Sequence, residues 1–148
     1  MGYDHLMEVS DVRRRIRAAI DSARLRAAGR RARTDEASRA YDVFLETVAV
    51  PAFHTVVNAL TGEGHRFNVI TPGRAVRMSP ERTSEDFIEL ALDTDGEAPR
   101  VVIVTSRGRG RRTVTTERVL CSGPEIAGLN DENVVAVVLD ELLPFIER

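Results

Sequence analysis

The string that stands out for chemistry is Ser106-Arg107-Gly108-Arg109-Gly110-Arg111-Arg112, in which guanidinium groups alternate with glycines. Arg107, Arg109, Arg111 and Arg112 at this spacing suit a phosphate backbone, which the glycines allow to approach closely. The plainer account is a hairpin tip: the glycines supply positive φ and the arginines keep an exposed loop solvated. Stacking aromatics, which grooves for single-stranded nucleic acid usually add, are missing here, and that favours the tip. A second basic surface is Arg13, Arg17 and Arg24, which share a helical face at spacings of four and seven, with Arg14 and Arg15 beside them. It fits phosphate contact or an anionic membrane surface, although an Ala-rich apolar face without Phe or Trp suits a membrane poorly. Its plainer account is a solvated face, or salt bridges to the acidic second helix and the acidic C-terminal helix of the same chain.

Other chemistry has little to work with. Cys121 can be paired on paper with His54 or His65 as nucleophile and base, but the sequence supplies no orienting residue and no oxyanion hole. A buried, inert thiol is the expectation. The three histidines, His5, His54 and His65, stand at no metal-ligand spacing, and His54 is expected to face the core. Glu85-Asp86 and Asp93/Asp95 look like acid–base pairs, yet they fall at strand ends and in a turn, where acids serve solubility and turn geometry. Gly62-Glu63-Gly64 and the Gly108/Gly110 pair lack the third glycine and the strand-to-helix setting of a nucleotide fingerprint. All 21 basic residues are arginine. Without lysine there is no Schiff-base nucleophile, no pyridoxal anchor, and no Walker-type or kinase-type lysine. One cysteine excludes an internal disulfide and a thiolate-rich zinc or iron–sulfur site. No catalytic residue, metal or cofactor is assigned.

The elements that carry these residues read as follows. Asp11 to about Ala28 is an amphipathic helix, capped by Ser10 and closed by Gly29, with a thin apolar stripe of Val12, Ile16, Ala19, Ile20, Ala23 and Ala27. Thr34 caps a second helix with a stronger stripe, from Tyr41 and Phe44 to Leu60. Pro51 should kink or break it, and Gly62 or Gly64 should end it. The short Arg30–Arg33 joint makes these two a helical hairpin. From Phe67 the period changes to two, giving strands around Val69, Val76–Met78, Ile88–Leu92, Val101–Val104 and Thr113–Leu120. Pro72-Gly73 and Asp95-Gly96 mark turns between them. Val101–Val104 is apolar on both faces and so belongs inside the sheet. A last helix, capped by Asn130, carries a broad apolar arc from Val134 to Ile146.

The expected architecture is α+β: an N-terminal helical hairpin, a five-stranded antiparallel meander and a C-terminal helix on one face. At 148 residues it forms a single domain, 1–148, with the Arg-rich helix of 1–33 reaching toward a partner. The near-neutral total of −2 hides basic blocks at 1–33 and 101–120 and acidic blocks at 34–100 and 121–148. No continuous apolar run is long enough to cross a membrane and no signal-type core stands at the N-terminus, so the expected compartment is the cytoplasm. The poor chemical inventory, the thin Ala-rich helix and the broad arc of the last helix point to a non-enzymatic interaction module. It would be a homodimer or a subunit of an assembly, with an open half of the sheet as a further surface. The alternative is nucleic-acid binding through Arg107, Arg109, Arg111 and Arg112, helped by Arg13, Arg17 and Arg24.

Overall fold

Strong helix formers, chiefly Ala and Arg, fill the chain from Val12 to Arg33, and the helix they start does not stop there. The computed structural model describes residues 8–83 and 85–147; His5 lies outside them. Helix α1 runs over Val9–Phe44, passes through one wide π-type turn at Leu45–Ala49, and continues as α2 over Val50–Gly62. The expected helical hairpin is therefore not formed: Gly29 and Thr34 are interior residues of one helix. A stop glycine or a capping threonine is a preference of about 1 kcal/mol. It decides a boundary only where a turned-back helix gains packing, and residues before Ala37 bury nothing that would reward the reversal.

Pro51 disturbs the helix without ending it. The wide turn just before it shifts the bonding register, so that the Val50 N–H donates to the Leu45 carbonyl, and Pro51 opens α2 near its first position. There its missing N–H costs little. At the far end Gly64 adopts φ +87°, the Gly64 N–H donates to the Thr61 carbonyl, and the His65 N–H donates to the Leu60 carbonyl. That pair of bonds closes a helix C-terminus around a left-handed glycine.

The strands are β1 (Phe67–Ile70), β2 (Val76–Pro80), β3 (Phe87–Asp93), β4 (Arg100–Arg109) and β5 (Arg112–Ser122), all antiparallel in the order β1-β2-β3-β4-β5. A short 3-10 segment, Gly123–Gly128, leads to helix α3, Asp131–Ile146. Asn130 caps α3 reciprocally: its side chain accepts from the Asn133 N–H, and the Asn133 side chain accepts from the Asn130 N–H. The fold is α+β with a meander sheet.

Register places alternate residues on a common face. Val76 and Met78 oppose Leu90 and Ile88, which oppose Ile103 and Thr105. This face meets Tyr41, Phe44, Phe53, Val56, Val134 and Val138 from the helices, in one continuous core. On the opposite face Arg77 pairs with Glu89 at 2.9 Å, and its guanidinium lies 3.8 Å over the Phe87 ring. There too Arg100 bridges Asp93 and Glu117.

Candidate interaction surface

Tyr41 marks the point where the long helix enters the core. Its ring is fully buried and its hydroxyl donates to the Arg74 carbonyl at 2.8 Å. Burial pushes the phenol's pKa well above its ordinary value. Arg74, in the β1–β2 turn, bonds Asp42 and the Ser38 carbonyl. Gly73 in that turn takes φ +59°, the left-handed conformation its type of bend requires. The turn therefore clamps the helix at Ser38–Asp42.

N-terminal to the clamp, α1 becomes an arm. None of its residues from Val9 to Glu36 is buried, and at 1.5 Å per residue that stretch extends about 40 Å. Its last contacts with the body are around Ala27–Asp35, which border a groove shared with Thr94, Gly96 and Glu97 of the β3–β4 turn. The stripe expected from the sequence is present and in water: Val12, Ile16 and Ile20 are 39%, 52% and 45% exposed. Arg13, Arg17 and Arg24 line one edge of it. They make no salt bridge to α2 or α3; the arm's polar contacts are local, Arg14 with Asp11 and Arg26 with Ser22. Of the two plainer accounts of this basic face, the intrachain salt bridges are absent among the described residues and the solvated face is what forms.

The arginine–glycine string is a two-residue hairpin. Arg109 opposes Arg112 across Gly110-Arg111, and only Gly110 has positive φ, +63°. That places glycine at the first central position of the turn, where the strand twist demands it. Arg109, Arg111 and Arg112 are exposed, while Arg107 is half-buried and opposes Val114. The hairpin is held at its base by Asp86, whose buried carboxylate accepts from the Gly108 N–H at 2.7 Å. Asp86 was expected to be a solubilising acid at a strand end; it is instead an anchor between β3 and β4. No sequence signal distinguishes it, because Gly108 lies 22 residues away.

The two arginine groups are not brought together. The arm leaves beside the β3–β4 turn, at the Arg100 end of β4, whereas the hairpin tip lies at the Arg109 end, beside Pro144 and Glu147. Ten residues of β4 separate these ends by roughly 30 Å.

Cys121 is buried at the end of β5, and its thiol is pushed up in pKa first by burial and then by the Glu125 carboxylate. Its cleft, about 580 Å³ between β5 and α3, is lined by Arg118, Glu125, Asn133 and Asp140 and contains no histidine. His54 does not face the core: it is exposed on the outside of α2, because the buried positions are Phe53, Val56 and Val57. His65 borders a separate hollow of about 750 Å³ with Arg66, Glu81, Arg82 and Asp86. Neither histidine makes a side-chain hydrogen bond among the described residues. No group of three or more metal-ligating side chains occurs among those residues either. Asp93 does the turn work expected of it: it accepts from the Asp95 N–H at 2.9 Å and from Arg100, and these contacts lower its pKa.

Because the helices are fused, Val9–Gly62 contains an 18-residue window long and apolar enough to cross a membrane by length and composition. Much of the apolar content near its C-terminal half serves the core through Phe44, Phe53, Val56 and Leu60. The last helix also keeps part of its arc outside: Leu139 and Leu143 are 49% and 56% exposed. Strand β5 is the long open edge of the sheet, buried only at Cys121. No known family model matches the chain, and no curated protein or solved structure matches it significantly.

Proposed function

We propose that this chain is a non-enzymatic protein-interaction module of the cytoplasm, acting as a homodimer or as a subunit of a larger assembly, with the α1 arm as its contact element. The observation that supports this reading is the arm itself: beyond the groove at Ala27–Asp35, Val9–Arg26 is a helix about 27 Å long with an apolar stripe and no buried residue. Isolated helices are marginal in water, and most helical stability comes from packing an apolar face. A rigid extension of this kind gains most when a partner covers it. The test is sedimentation velocity of the full chain across a wide concentration range. The expected result is a species heavier than the 16.4 kDa monomer, shifted toward monomer by Ile16→Asp with Ile20→Asp. A monomer at every concentration, with nothing retained on purification, overturns the reading.

A second reading, nucleic-acid binding, is favoured by one feature: Arg107, Arg109, Arg111 and Arg112 form no salt bridge among the described residues. Arg13, Arg17 and Arg24 would have to act from the far end of the molecule. Anisotropy of labelled random RNA and DNA at low and near-physiological salt tests it. Binding that falls steeply with salt, and that weakens when the four loop arginines become alanine, supports it. No binding at low salt removes it.

A further inference from the structure

We infer that the arm's seat is the outer face of α3 on a second copy of this chain, so that two copies exchange arms. The inference rests on the interaction reading above and adds what the arm binds. Pairing of two arms along their stripes is electrostatically poor. Arg13, Arg17 and Arg24 flank the stripe on one side, and Arg15, Arg26 and Arg33 flank it on the other, with Glu8, Asp11 and Asp21 as the only described acids before Arg33. Like-charged flanks brought face to face repel. The arm needs an apolar stripe edged with acid.

The same chain carries one. On α3, Val134, Val138 and Leu142 face the core, which turns Ala136, Leu139 and Leu143 outward at spacings of three and four. Glu132, Asp140 and Glu147 stand on this exposed side, Asp140 paired with Arg118 of β5 and the other two outside any salt bridge among the described residues, and no basic residue lies in the last turn. The C-terminal end of α3, where the helix dipole is negative and Glu147 follows, therefore offers a favourable place for guanidinium groups. The exposed stripe of α3, Ala136–Leu143, spans about 11 Å, so it seats about half of the roughly 23 Å stripe from Val12 to Ala27. Within one chain both stripes stay exposed, Val12, Ile16 and Ile20 as well as Leu139 and Leu143, so the arm does not lie on its own α3. Reciprocal exchange under two-fold symmetry buries both seats at once.

Charge reversal on the full chain tests the pairing. One variant carries Arg13→Glu, Arg17→Glu and Arg24→Glu; another carries Glu132→Arg, Asp140→Arg and Glu147→Arg; a third carries both sets. Sedimentation equilibrium is expected to show at least ~tenfold weaker association for each single set and recovery to near the wild-type value when both are combined. Circular dichroism checks that each variant is folded. Because Asp140 also pairs with Arg118, Leu139→Ser with Leu143→Ser serves as an independent α3 variant that leaves every charge in place, and it too should weaken association. If arm reversal weakens association but the α3 variants do not, or if the combined variant fails to recover, the seat is elsewhere and only this inference falls. A wild-type chain that stays monomeric removes this inference, and if nothing is retained on purification it removes the interaction reading as well.

Discussion

Two halves of one continuous helix meet opposite fates. From Ala37 to Leu60 the helix buries Tyr41, Phe44, Ala52, Phe53 and Val56 against the sheet; from Val9 to Glu36 it buries nothing. Both halves repeat apolar residues at helical spacing, so periodicity does not separate them. Side-chain size and the neighbouring polymer do. The root carries aromatics and valines that reach across to Met78, Ile88 and Leu90, and the β1–β2 turn clamps it through Arg74. The arm carries alanines and isoleucines between arginines, and its direction takes it past the edge of the body. An amphipathic stripe states that a helix wants a partner. Where that partner sits is a question of geometry.

The sharpest way to break the comparison is Phe53→Ala, which empties a fully buried ring from the root. Urea unfolding should show a loss of about 3–5 kcal/mol. A loss under about 1 kcal/mol would mean that the root is no better packed than the arm. Alkaline titration comes next. The buried Tyr41 phenol and Cys121 thiol both have pKa values raised in the folded protein, chiefly by burial. Unfolding frees them to ionise near their ordinary values, so stability is full below about pH 8, falls first as the thiol of the unfolded chain ionises, and falls further as the pH climbs past about 10, where the phenol does. Tyr41→Phe should flatten part of that fall in thermal melts taken between neutral and alkaline pH; an unchanged slope would place the titrating group elsewhere.

Gly29→Ala sharpens the arm's side of the contrast. Gly29 is an interior helical residue with negative φ, and a Cβ there would meet only the flexible end of Arg33, at 3.3 Å. Helicity should rise and the arm should gain about 0.5–1 kcal/mol. A drop in helicity would show that the glycine ends the helix after all. Smallest of all is Ile16→Ala at concentrations where the chain is monomeric. With its side chain in water, the change should stay within about 0.5 kcal/mol by urea unfolding. A cost comparable to that of Phe53→Ala would place the stripe inside a monomeric core.

Much of the architecture is legible in the residues. The period-two runs around Val76–Met78, Ile88–Leu92 and Val101–Val104 mark their strands, Asn130 marks the start of α3, and Gly110 marks a hairpin tip. Local preferences misled at Gly29 and Thr34, because a weak stop signal inside strong helix formers yields when nothing rewards a reversal. Asp86 and the exposure of His54 were not legible either. The first depends on a bond to Gly108 across two strands, and the second on which side of α2 the sheet lies.

By itself the sequence determines the α+β class, the period-two strands, the absence of lysine chemistry and the existence of two arginine groups. These follow from composition and from periodicities a few residues long, which local sterics and burial enforce. Tertiary structure alone decides that the first helix is an arm, that the arginine groups sit at opposite ends of β4, and that α3 turns Leu139 and Leu143 outward. Those facts depend on which of several apolar faces reaches the sheet first. The sheet has room for one continuous core, so the larger faces of the root and of the inner side of α3 occupy it. The thinner faces are left in water.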